Sequence, residues 1–128
     1  MRLLLDTHVF IWLQTEPERL GHRVGFLEDL DNDLLVSAVV TWEIAIKHGA
    51  GRLDLPDPPQ IYIPQRMRYI RATSLPIEQR HTLAVASLPP IHGDPFDRML
   101  VAQAQVLGVP ILTADSTIAA YPVETLLV

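Results

Sequence analysis

No cysteine occurs in the chain, which excludes disulfides, zinc–thiolate sites and a thiol nucleophile. No apolar run is long enough to span a bilayer, and MRLLLD reaches Asp6 too soon for a signal peptide. The expectation is a soluble, cytoplasmic protein with no membrane partner. Internal repeats, low-complexity stretches and domain linkers are missing as well. Residues 1–128 are therefore expected to form a single domain, large enough for a hydrophobic core. The 48% hydrophobic share argues against disorder. A basic excess is also lacking. The formal net charge of -5 speaks against a non-specific nucleic-acid binder. It does not exclude nucleic acid, because a chain that gathers acids around a metal counts as acidic while it carries arginines elsewhere. Arg66, Arg68 and Arg71 lie close together, and Arg80 and Arg98 follow. Such arginines are candidates for RNA backbone contacts, but on helices they are more often solvated faces.

What is present is an alternation of short apolar runs with helical periodicities. Leu3–Leu5 suits a strand buried on both faces, and THVFIWLQ follows as a short helix. Leu20, Val24, Leu27 and Leu30 recur at helical spacing, which predicts a helix from Glu18 to Leu30. Asp31, Asn32 and Asp33 mark a turn before LLVS, the next buried strand. Val39–His48 reads as a helix closed by Gly49 and Gly51. The proline-rich LDLPDPPQIYIP is expected to be a loop leading into a helix near Pro64 to Ile70. A short strand at Thr73–Leu75 and a helix at Ile77–Leu88, broken by PPIHG, come next. A helix from Pro95 to Leu107 ends at Gly108, and VPILTAD and Val123–Leu127 supply the last strands. Strands interleaved with helices imply an α/β domain with a central, mostly parallel twisted sheet flanked by helices.

The acids fall at particular places in this pattern. In HGDPFDRMLVAQA, residues 92 to 104, two aspartates stand three apart around a proline, directly ahead of an apolar-periodic run. Asp94 as N-cap, Pro95 as first helical residue and Asp97 as third would be ordinary punctuation. Equally, one of the two carboxylates is a functional acid at a helix start; the stretch alone leaves both readings open. Asp6 closes the strand LLLD and Asp115 closes ILTAD, and either alone reads more readily as a helix cap than as a ligand. Glu43 sits inside a helix, where no cap is needed and the plain alternative is a solvated face. Taken together the four point elsewhere. In an open α/β sheet the functional crevice lies outside the carboxyl ends of the strands, where all four could meet. Carboxylates held together repel unless paired or metal-bound, and the single lysine, Lys47, provides no set of lysines to offset four of them. An all-carboxylate set selects magnesium or manganese over zinc. Magnesium used with substrate phosphates points to phosphodiester or phosphoryl chemistry, with helix N-termini as further phosphate donors.

At these same residues the chain resembles a known family. LLLDTH, SAVVTWEIAIK, DPFDRMLVAQA and ILTAD are similar, in order and spacing, to the successive motifs of PIN-domain proteins. They resemble most the VapC-type toxins of bacterial and archaeal toxin–antitoxin pairs, and the resemblance covers the whole chain. It implies a PIN fold, a Mg2+- or Mn2+-dependent endoribonuclease acting on RNA, homodimerisation, and a cognate VapB-type antitoxin that blocks the active site. Carried over residue by residue, Asp6, Glu43, Asp97 and Asp115 match the four catalytic, metal-holding acids. Asp6 and Asp97 would ligate the ion directly, with Glu43 and Asp115 as further ligands or water-orienting groups. Thr7 and Thr113 match the hydroxyl positions beside the first and last acids, and Ser37 the one ending the second strand. Asp94 is an additional acid, assigned mainly to capping. On this reading Asp94 and Pro95 start the helix, and Asp97 is the functional acid.

A different class of function is a catalytically silent PIN-like module that binds RNA or protein. The presence of all four acids speaks against it. Two phosphoryl-aspartate readings fail on residues. A phosphohydrolase of the haloacid dehalogenase type needs an acid two residues after the nucleophile, where this chain has His8, and a receiver domain wants a late lysine. Among the histidines, His8 could face the site, and His92 is assigned to its loop. His22, His48 and His81 are not expected in catalysis. Trp12 and Trp42 are expected to be core or interface residues and not base-stacking platforms.

Overall fold

Leu3, Leu4 and Leu5 offer three successive apolar side chains to opposite faces, so only a strand covered on both sides buries them all. In the computed structural model, which describes residues 1–128, they form most of β1 (Arg2–Leu5) and each is 0% exposed. Four more strands join it in one sheet: β2 (Asp33–Ser37), β3 (Thr73–Leu75), β4 (Ile111–Thr113) and β5 (Thr125–Leu127). Their order is β3-β2-β1-β4-β5, and every pairing is parallel. Leu3 and Leu4 stand opposite Leu34 and Leu35 on one side, and Leu4 and Leu5 opposite Ile111 and Leu112 on the other.

Parallel neighbours require crossovers, and helices supply them. In chain order these are α1 (Thr7–Thr15), α2 (Val24–Glu28), α3 (Ala38–Gly49), α4 (Pro59–Tyr69), α5 (Gln79–Ala84), α6 (Pro95–Leu107) and α7 (Ser116–Ala119). One cluster of 26 buried apolar residues joins sheet and helices. Because all five strands run the same way, their carboxyl ends share one edge. The chain builds outward from β1 through β2 to β3, then returns to place β4 on the other flank. This reversal of strand order beside β1 is where such sheets open a crevice.

Several expected elements differ in extent. The helix foreseen over Glu18–Leu30 is two pieces, a 3-10 segment at Pro17–Arg23 and the five-residue α2. Gly21 takes φ 55° and ψ -135°, a conformation no helix contains, and Leu30 is 75% exposed. α4 starts at Pro59 and not near Pro64. Pro59 sits in the first turn, where its missing N–H is not needed, and Pro64 is carried within the helix. The helix foreseen at Ile77–Leu88 shortens to α5 plus a 3-10 turn at Val85–Ser87. Its start is set by Glu78, whose N–H donates to His81 Nδ1 at 2.9 Å. Asp33, foreseen in a turn, already belongs to β2, and β5 begins at Thr125 and not at Val123.

Candidate active site

Asp6 leaves the end of β1 and caps α1, with Oδ1 accepting the Thr7 N–H at 2.7 Å. Its Oδ2 accepts from Thr113 Oγ1 at 2.7 Å, across the β1–β4 pairing. The cap and the site are thus one carboxylate using two oxygens. It is 5% exposed, and burial pushes its pKa up against the two hydrogen bonds. The charge of His8 also opposes the rise, whereas the Glu43 charge adds to it.

Glu43 is carried by α3, whose first turn is set by Ser37. The Ser37 Oγ accepts the Val39 N–H at 3.1 Å and donates to Gln103 Oε1 at 2.5 Å. A solvated face is ruled out for Glu43, which is 5% exposed. Its Oε1 accepts from Thr7 Oγ1 at 2.5 Å and its Oε2 from Lys47 Nζ at 2.6 Å. The lone lysine therefore serves one acid of the cluster. Its spacing, four residues past a glutamate on one helix, is the favourable orientation for such a pair.

At the start of α6, Asp94 is the cap: its Oδ1 accepts from Phe96 N at 2.9 Å and Asp97 N at 3.1 Å. The Asp97 side chain has no part in capping. Its Oδ2 lies 3.0 Å from His92 Nε2. Burial raises the Asp97 pKa to about 6; the His92 hydrogen bond opposes this, and the charges of Asp94, Asp6 and Asp115 add to it. Asp97 thus lies within electrostatic reach of three other carboxylates. Asp115 caps α7 through Thr117 N at 2.8 Å, and its own N–H donates to Thr113 Oγ1 at 3.0 Å.

The four acids consequently share the carboxyl edge of the sheet beside the strand-order reversal. Thr113 links Asp6 to the Asp115 backbone, and Thr7 links Asp6 to Glu43. No three His, Asp or Glu side chains converge as a ready-made metal cage.

Of the histidines, His8 is exposed beside Asp6, and His81 is buried near Gln103 and Glu78. His92 is the one that sequence reading missed: it bonds Asp97 on one side and the Tyr121 hydroxyl, at 2.7 Å, on the other. Arg98 is drawn inward to Pro89 O and Tyr121 Oη, at 2.8 and 3.0 Å, and is not a free phosphate contact. Arg66 is tied to Gln14 Oε1 at 2.8 Å. Trp42, expected in core or interface, is 56% exposed on this chain and stands edge-on to Phe96.

A five-stranded parallel α/β sheet with four acids along its carboxyl edge defines the class of protein. The chain belongs to the PIN domain family, which it matches over residues 3–124. It is 30% identical over 113 residues to Ribonuclease VapC22 of Mycobacterium tuberculosis, covering 88% of this chain and 86% of that protein. Its match to Ribonuclease VapC16 of the same organism is 39% identical over 58 residues, 45% of this chain and only 41% of that relative's length. Among solved structures, VapBC2 from Rickettsia felis bound to a DNA fragment from their promoter shares the fold with a TM-score of 0.74 at 12% identity, covering 99% of this chain and 98% of that one. DNA-bound VapBC from Salmonella typhimurium follows with 0.69 at 16% identity, covering 98% and 97%. No helix is long and apolar enough to cross a membrane.

Proposed function

We propose that this chain is a Mg2+- or Mn2+-dependent endoribonuclease, the VapC-type toxin of a toxin–antitoxin pair. Asp6, Glu43, Asp97 and Asp115 form its active site, and residues 1–128 act as one PIN domain in the cytoplasm. The observation that carries the reading is the placement of Asp6, Glu43, Asp97 and Asp115 at one carboxyl edge of the sheet, with Asp97 part-buried and feeling the charges of Asp94, Asp6 and Asp115. Such a group calls for positive charge, and the chain's single lysine, Lys47, is already taken by Glu43.

The donor set fits a hard cation. All the donors are oxygens, and a magnesium ion that keeps several of its waters needs only one or two carboxylates, not a closed cage. Asp6 and Asp97 would hold it, with Glu43 and Asp115 orienting its waters. When bound, the ion supplies Lewis acidity at the scissile phosphate and makes water a nucleophile near neutral pH. The protein's own part is placement. Thr113 and the Thr7 N–H fix both oxygens of Asp6, Thr7 and Lys47 fix those of Glu43, and Asp97 must shed its proton before it serves.

RNA as substrate is supported by the relatives named as ribonucleases, and a VapB-type antitoxin by the VapBC neighbours. A cleft of about 380 Å³ between α1 and α3, walled by Ile11, Trp12 and Leu53, opens next to Thr7 and Lys47. It offers an antitoxin an apolar path to the acids.

The test is incubation of antitoxin-free protein with total RNA in Mg2+, Mn2+ or EDTA, with Asp97→Asn in parallel. Metal-dependent cleavage lost in the variant is expected. Cleavage that survives both EDTA and Asp97→Asn is a contaminant and removes the support. Absence of both cleavage and cation binding assigns the domain to a silent binding role instead.

A further inference from the structure

Behind Asp97 lies a hydrogen-bond chain closed at its far end by Arg98. Arg98 has only donors. Its Nη1 lies 2.8 Å from Pro89 O and 3.0 Å from Tyr121 Oη. The Tyr121 oxygen therefore accepts from Arg98, and its own proton is left to give. The nearest acceptor is His92 Nδ1, 2.7 Å away. Receiving that proton requires Nδ1 to be the bare nitrogen of the ring, which puts the ring hydrogen on Nε2. That atom stands 3.0 Å from Asp97 Oδ2.

We propose that Arg98, Tyr121 and His92 form a positioning relay, which locks His92 as an Nε2–H donor to Asp97 Oδ2 and leaves Oδ1 as the oxygen that takes the cation. The inference rests on the reading of Asp97 as a metal-holding acid. Three features support it. The relay is assembled from separate places: the loop before α6, the first turn of α6, and the segment after α7. Tyr121 is buried, so its hydroxyl has no ready alternative in water. Arg98 directly follows Asp97, so one helical turn carries both the acid and the group that polarises its support. A carboxylate gripped at one oxygen presents the other in a fixed direction, and outer partners of this kind tune metal ligands.

Two measurements test the relay. Ring 15N shifts of His92 in metal-free protein report the tautomer directly. The Nε2–H form alone is expected, and Tyr121→Phe, which keeps the buried ring, should yield a mixture of tautomers. Titration with Mn2+, followed by loss of its free-ion EPR signal, reads the consequence. His92→Phe keeps bulk without a donor and should weaken Mn2+ binding about 10–100-fold. His92→Gln, which can offer an N–H at the same reach, should restore most of that loss. A role confined to pinning the loop predicts equal Mn2+ affinity in the two variants. An Nδ1–H tautomer in the native chain overturns the proposal. So does unchanged Mn2+ affinity in His92→Phe while Asp97→Asn lowers it. If Asp97→Asn leaves Mn2+ binding unchanged, the metal-site reading fails with it, and the 15N shifts decide the tautomer separately.

Discussion

Asp97 is held in a setting that disfavours its own charge, and this has a sign in stability. Its pKa in the fold is about 6, against 3.8 without the fold. The folded state therefore binds the proton more tightly, and stability present below about pH 4 is lost as pH rises through about 6. In EDTA near pH 7.5, Asp97→Asn is expected to be more stable than the native chain by about 1–2 kcal/mol, less than the full shift implies because solvent screens a part-buried carboxylate. The difference should vanish near pH 4, as read by urea unfolding at both values. Glu43 has a cation of its own beside it. Removing its partner in Lys47→Met leaves a buried carboxylate with Thr7 alone. A loss of about 1–3 kcal/mol is expected in urea unfolding, less than for a fully buried pair because the lysine is partly exposed. The positions of Asp6, Glu43, Asp97 and Asp115 at one sheet edge were legible in the sequence, because strand ends and helix starts carry local marks. The Glu43–Lys47 spacing was legible too, though read there only as a shortage of lysines. His92 was not: it reaches Asp97 by a loop turning back, and loops have no period.

Among the elements, the segment from Pro17 to Glu28 shows how periodicity misleads. Leu20 and Leu27 are buried and Val24 partly so, as a single helix would have them, yet Gly21 breaks the backbone between them. Apolar spacing records which side chains face the core, whereas continuity of the helix depends on every φ and ψ between. The two glycines of this segment should accordingly respond in opposite directions. Gly21→Ala places a side chain at φ 55° and ψ -135° and should cost about 1–3 kcal/mol. Gly25→Ala, inside α2 with open space around it, should instead stabilise by about 0.5–1 kcal/mol. Thermal unfolding of the two variants checks both. The strands fared better in the sequence, since a short apolar run between turn residues has few other solutions; α4 was misplaced because Pro58, Pro59 and Pro64 together read as a loop.

For the molecule as a whole, cation binding and stability are linked. If the acids hold an ion only when folded, Mn2+ should raise the unfolding temperature of the native chain, and by much less in Asp97→Asn. A melting series over Mn2+ concentration shows this, and equal shifts in both proteins would place the ion elsewhere. The strand order carries a last implication. β1 is the first strand to be made and the central one in the sheet, and Asp6 receives its second hydrogen bond from Thr113, 107 residues further on. Asp97 likewise arrives late. During translation, then, Asp6 emerges from the ribosome without the partners that make it part of a site. Under the proposed function a half-made chain is unarmed, and the ribosome producing this nuclease is shielded from it until the chain is nearly finished.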